Sequence, residues 1–259
     1  AAESSVYSKH TRCATPVLCF RSAAATDKAM AFLETQWWQL HGQGCLAWTC
    51  GGLIINELFK RFGSKRSQEV IAGSPRFSWW NGVTHQFVVF PVLCGLCIAE
   101  HGGPLTEWLR SFGNEYYYHR MFHHAFFGYL VKDLTLPITP VLLAHHVVCL
   151  ALVLASLCGY PSDVSALFCA CVTSLELGSA VFGLQSQYPK NRTLHLLLFP
   201  WMTLSNFISA SFGVWYSLHY EDVGVVSRII FPVVGIGLCA ARQAVENARF
   251  RNWTPSGKE

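Results

Sequence analysis

The stretch from Tyr116 to His146, YYYHRMFHHAFFGYLVKDLTLPITPVLLAHH, sets five of the chain's eleven histidines in a background apolar enough for a membrane. In hydrocarbon an ionisable side chain is expensive, so it normally faces a bundle interior or a water-filled cavity and marks function. His119, His123, His124, Asp133, His145 and His146 all fall within one predicted helical hairpin. At about 100° per residue, an unbroken helix puts His119, His123, Phe126 and Asp133 in a sector of roughly 80°, with His124 pointing elsewhere. Pro137 and Pro140 break that helix, because a proline pushes the residue before it out of the helical region. A second helix is then expected near Val141, carrying the His145–His146 pair about one turn inside.

The rest of the chain agrees with a membrane setting. Its residues are 52% hydrophobic and 13% charged, with a mean hydropathy of +0.31, whereas a soluble domain has about 25% charged residues. A length of 259 residues accommodates several spans of about 20 residues each and leaves little for a separate soluble domain. The expected fold class is all-α, a polytopic transmembrane helix bundle of about seven spans. Apolar runs place them at 38–59, 78–99, 117–136, 141–159, 163–186, 194–218 and 224–243. The corresponding organisation is an N-terminal extension 1–36, a transmembrane domain 37–244 and a basic tail 245–259. Residues 1–30 are rich in Ala, Ser and Thr with few acids, and read as the remnant of an organelle-targeting segment.

Loop charge orients the bundle, since short loops on the cytosol-like side carry the excess of Lys and Arg. Lys60, Arg61, Lys65, Arg66, Arg76, Lys190, Arg192, Arg249, Arg251 and Lys258 fall on one side of a seven-span chain. The expectation is a C-terminus in the cytosol or matrix, in the endoplasmic reticulum or the mitochondrial inner membrane. The basic residues before the first span are discordant. No Lys/Arg run with interleaved aromatics tracks a nucleic-acid backbone, so nucleic acid is excluded as a partner.

Nine cysteines lie in apolar runs, where a thiol behaves as a small hydrophobe. Cys94-x-x-Cys97 has redox or zinc spacing but no second pair nearby, and reads as structural. No cofactor and no metal are expected.

Polar groups inside the spans are the candidates for chemistry. His85, with Asn81 one turn before it, taken alone reads as an interhelical hydrogen-bonding pair. Asp133 needs a partner from another helix or from His119, because Lys132 points about 100° away along the helix. His145 and His146 diverge by the same angle, so at most one points straight at a shared cavity. Glu176 is the lone acid of its span. Together these residues make a common polar cavity the better reading, suited to acid–base work on a lipid, with imidazole titrating near neutral pH beside a carboxylate. A di-iron lipid oxidase is a rival, since His119-x-x-x-His123-His124 looks like one desaturase histidine box, although only the bare pair His145–His146 follows it.

The order of motifs is similar to the TLC-domain family, the multispanning fold of ceramide synthases and of smaller lipid-linked membrane proteins. It rests on Trp80-Asn81-x-x-x-His85, Gly128-Tyr129-x-x-x-Asp133-Leu134, the His145–His146 pair and Glu176-Leu177-x-Ser179, between about Trp79 and Arg242. The resemblance implies helices around a lipid-accessible cavity lined by the His pair, with His145, His146, Glu176 and Asp133 as catalytic candidates. His85, Asn81, Tyr129, His123 and Asn206 are the lipid-binding candidates. Where the synthases carry His-Asp-x-x-Asp, this chain has Val172, Thr173, Ser174, Leu175 and Glu176. Ceramide synthase activity is therefore not expected, and the chain resembles the smaller members. The expected function is lipid binding or handling, with any enzymatic activity of acyltransferase type and membrane lipids as partners. The alternative is a non-catalytic accessory subunit of a larger, mitochondrial membrane complex. One further expectation is that His145 or His146 lies within about 6 Å of the Glu176 carboxylate, across an antiparallel hairpin of the fourth and fifth spans closed by Gly159–Ser162.

Overall fold

The computed structural model describes residues 37–71, 73–111, 116–158, 165–219 and 225–252. The proposed targeting segment, the Gly159–Ser162 turn and the end of the tail lie outside them. Seven long helices are present among the described residues: α1 Gln43–Phe62, α2 Arg76–His101, α3 Tyr117–Leu134, α4 Pro140–Leu157, α5 Ser165–Gln187, α6 Arg192–His219 and α7 Val225–Asn252. Four of them, α2, α5, α6 and α7, are long and apolar enough to cross a membrane. Of the others, α3 carries His119, Arg120, His123, His124, Lys132 and Asp133 and buries most of them. α1 ends on Asn56, Glu57, Lys60 and Arg61, and α4 is apolar but short.

Helix ends follow local chemistry. Pro140 opens α4, where its missing N–H costs nothing, and the Thr139 hydroxyl accepts from the Leu142 N–H at 3.3 Å. α2 contains a π-helical turn at His85–Val89, just ahead of Pro91, and stops at Gly102, whose φ of 68° is the left-handed conformation a helix C-terminus favours. The Glu100 carboxylate accepts from the Tyr117 and Tyr118 N–H groups at 2.9 and 2.8 Å, so the end of α2 caps the start of α3. Between α1 and α2 the chain forms a two-residue antiparallel ladder, β1 Val70–Ile71 with β2 Ser74–Pro75. The Ser74 hydroxyl donates to the Pro137 carbonyl at 3.0 Å, tying that hairpin to the α3–α4 corner.

α3 is the central helix. It packs on α1, α2, α4 and α5, while α5, α6 and α7 form a sequential stack. Its approach to α1 depends on Gly128, where an added Cβ would come 2.7 Å from the backbone of Trp48 and Thr49. Against α2 it sets Phe122, Phe126 and Tyr129 around the fully buried Phe90, with ring centroids 5.4–5.6 Å apart.

One helix outruns its expected span and one expectation changes. α7 continues to Asn252, past the apolar run expected over 224–243, and its last turns stay packed: Glu246 is buried and Phe250 stacks on His195 of α6, 5.2 Å between centroids. The fourth and fifth spans, expected as a packed hairpin, do not pack along their length. α4 leans on α3, and a cavity occupies the space between α4 and α5.

Candidate functional site

A chain of buried polar groups crosses the bundle from α1 to α5. The Asn81 amide donates to Asn56 Oδ1 at 2.7 Å and to the Gly52 carbonyl at 3.1 Å. One turn on, His85 Nδ1 donates to the Asn81 carbonyl at 2.9 Å, and its ring lies on Tyr129, 5.6 Å between centroids at 29°. Gln86 joins the two ends of the chain: its amide donates to the Tyr129 hydroxyl at 3.0 Å and to Glu176 Oε2 at 2.8 Å. Beyond Glu176, the Arg242 guanidinium of α7 donates to the Leu175 carbonyl and the Ser179 hydroxyl, both at 2.9 Å.

A second group joins α3 to α4. His146 Nε2 lies 3.3 Å from Asp133 Oδ2, and its Nδ1 donates to the Leu142 carbonyl at 2.8 Å, so the ring is held at both nitrogens. The other Asp133 oxygen is 2.6 Å from Lys132 Nζ. Helical angles point Lys132 away from Asp133. Instead its stem packs beneath α1 at Gly52, the ammonium lies 4.8 Å from the Tyr129 ring centroid, and the residue is fully buried. A long flexible stem brings its charge back to a neighbouring carboxylate, which helical angles alone do not reveal.

His145 and His146 part company as adjacent helical residues must. His146 serves Asp133, and His145 turns to the cavity. That cavity, about 130 Å³, lies between α4, α5, α6 and α7 and under Phe126 of α3. Its walls are chiefly apolar, including Leu152, Leu167, Phe168, Phe212 and Leu238; His145, Glu176, Ser156 and Ser209 supply oxygens and nitrogens. His145 and Glu176 therefore face one cavity. The direct partner of Glu176 is Gln86, and no ion pair joins it to either imidazole among the described residues.

The other candidates sit elsewhere. Asn81, His85, Tyr129 and His123 belong to the packed interior rather than the cavity wall, and Asn206 donates to Gln243 Oε1 at 2.9 Å on the α6–α7 face. His123 Nε2 lies 2.8 Å from the Ser156 hydroxyl, so it reaches the cavity through that serine. The histidines do not converge as a di-iron box requires. His119 accepts from Trp108, His123 meets Ser156, His124 lies 3.1 Å from His41 before α1, and His146 meets Asp133.

Sequence reasoning missed Gln86, Lys132 and Arg242. Gln86 carried a signal, since it follows His85 inside an apolar run and an amide there needs partners. Arg242 lies near the end of an apolar helix, where an arginine ordinarily reads as a boundary residue. Comparison with protein-family models, with curated proteins and with solved structures returns no match for this chain.

Proposed function

We propose that this chain is an integral membrane protein with a TLC-like arrangement of seven spans that binds the acyl portion of a membrane lipid between α4 and α7. The observation carrying this reading is the apolar cavity with His145 and Glu176 on its wall. Its volume is comparable to the ~150 Å³ apolar cavity that accepts one benzene, so it takes a segment of a chain rather than a whole lipid. The remainder leaves between α4 and α7, which both line the cavity but do not pack on each other. Outward-facing Phe207, Ile229, Ile230 and Val233 are exposed, as lipid-facing positions are. Any acyl transfer would use His145 as the base nearest the chain, with Glu176 held in place by Gln86. The Lys132–Asp133–His146 group then serves to position α4.

The experiment is purification in mild detergent, extraction of co-purifying lipid for mass spectrometry, and an acyl-CoA-dependent acylation assay. Co-purifying acyl lipid supports the binding reading, and turnover lost in His145→Ala supports the catalytic one. Neither lipid nor turnover sinks both.

A further inference from the structure

Three helix ends meet beside Trp108, at the opposite end of α3 from the Asp133 group. Cys97 is one turn from the end of α2, His119 is in the first turn of α3, and Cys169 is in the second turn of α5. Their two sulfurs and one ring nitrogen lie within 4.8 Å of one another, and all three residues are fully buried. Trp108, in the one-turn helix Leu105–Trp108, stacks on His119 at 6.0 Å between centroids and donates its indole N–H to His119 Nε2 at 2.9 Å. The second ring nitrogen, His119 Nδ1, is buried with no hydrogen-bond partner. Buried polar atoms are nearly always satisfied, and this orphan belongs to the ring that gathers with the two thiols.

We propose that Cys97, Cys169 and His119 bind a thiophilic divalent cation, of which Zn²⁺ is the type, through the two sulfurs and Nδ1. Sulfur and imidazole select zinc-like ions over the hard oxygen-seeking magnesium and calcium. Charge selects a divalent ion: two thiolates and a neutral imidazole carry −2, and only a 2+ ion leaves this buried site neutral, as an apolar surrounding demands. Binding is proton-balanced, two thiols and M²⁺ giving the dithiolate complex and two released protons. A zinc-like ion prefers four ligands. Cys97, Cys169 and His119 supply three of them.

Loading changes Trp108. With the ion on Nδ1, the neutral ring keeps its proton on Nε2, so the indole can no longer donate there and its hydrogen bond is broken. The cost is the lost bond together with two buried N–H groups left facing each other, which coordination by two thiolates has to exceed, and the change makes Trp108 a reporter of occupancy.

The test uses the full chain in mild detergent, stripped with chelator, kept reduced and titrated with Co²⁺ as a spectroscopic probe. The expected result is one equivalent bound, with a thiolate-to-cobalt charge-transfer band, a change in tryptophan emission at the same stoichiometry, and displacement by Zn²⁺. The band is lost in the Cys97→Ser/Cys169→Ser double variant and kept in Cys45→Ser and Cys239→Ser. No charge-transfer band in the unmodified chain overturns the proposal whether or not the variants fold, leaving the three residues as packing. A band that survives in the double variant overturns it too, since other cysteines then hold the ion.

Discussion

His146 Nε2 stands 3.3 Å from Asp133 Oδ2, and this contact fastens α4 to α3, the helix against which α4 chiefly packs. Asp133 is shared with Lys132, whose side chain is completely buried. The carboxylate is thus the counter-charge of a buried ammonium as well as the anchor of an imidazole. Removing one partner of a buried pair is far costlier than replacing the pair, because it strands a charge. Asp133→Asn is expected to destabilise the protein by about 3–5 kcal/mol. The double variant Lys132→Met/Asp133→Asn recovers most of that loss, as read from thermal unfolding in detergent. Equal losses in the single and double variants would contradict this account of Lys132.

Gly128 sets how closely α1 and α3 approach. In Gly128→Ala the new methyl meets α1 backbone at 2.7 Å, and backbone cannot rotate away as a side chain can. The expected cost is about 1–3 kcal/mol, as for overpacking elsewhere. Gly95→Ala, also helical but with open space around its Cβ position, gains up to about 1 kcal/mol from helix propensity. Unfolding midpoints of the two variants should therefore move in opposite directions.

Gln86 bridges Tyr129 and Glu176. Gln86→Leu keeps the size of the side chain but strands two buried acceptors, a loss of about 1–3 kcal/mol. Glu176→Gln retains an acceptor for Gln86 and is expected to lose less. A larger loss in Glu176→Gln than in Gln86→Leu would mean that the Glu176 charge, through Arg242, matters more than the bridge.

Glu100 caps α3 from the end of α2 with two hydrogen bonds. Glu100→Ala is expected to cost about 1 kcal/mol, the usual worth of a helix cap, and to raise amide exchange at Tyr117 and Tyr118 in hydrogen-exchange mass spectrometry. Exchange unchanged at those two positions would show that the cap is not what orders the start of α3.

The helices were legible because apolar runs and prolines mark them, and the parting of His145 from His146 follows from helical geometry alone. The direction of His124 was legible in the same way: it faces His41 and α1, away from His119 and His123. Tertiary choices were not legible. Whether α4 packs on α5 or leaves a cavity depends on side-chain fit across three helices, which periodicity does not encode. Lys132 was misjudged because helical angles locate Cβ, whereas its charge sits at the end of a flexible stem. Cys97 and Cys169 are separated by 72 positions in the sequence (169−97=72), so their meeting with His119 is a product of the fold.

Lipid occupancy of the cavity tests the central claim most directly, by native mass spectrometry of the unmodified chain and of Leu152→Trp released from the same mild detergent. Leu152 lines the cavity, and an indole there intrudes on the space left for a chain. Leu143→Trp, at an exposed position on the same helix, is the control. The account predicts an acyl lipid retained on the unmodified chain and on Leu143→Trp, and lost from Leu152→Trp. No lipid on the unmodified chain, or equal lipid on all three, would contradict it.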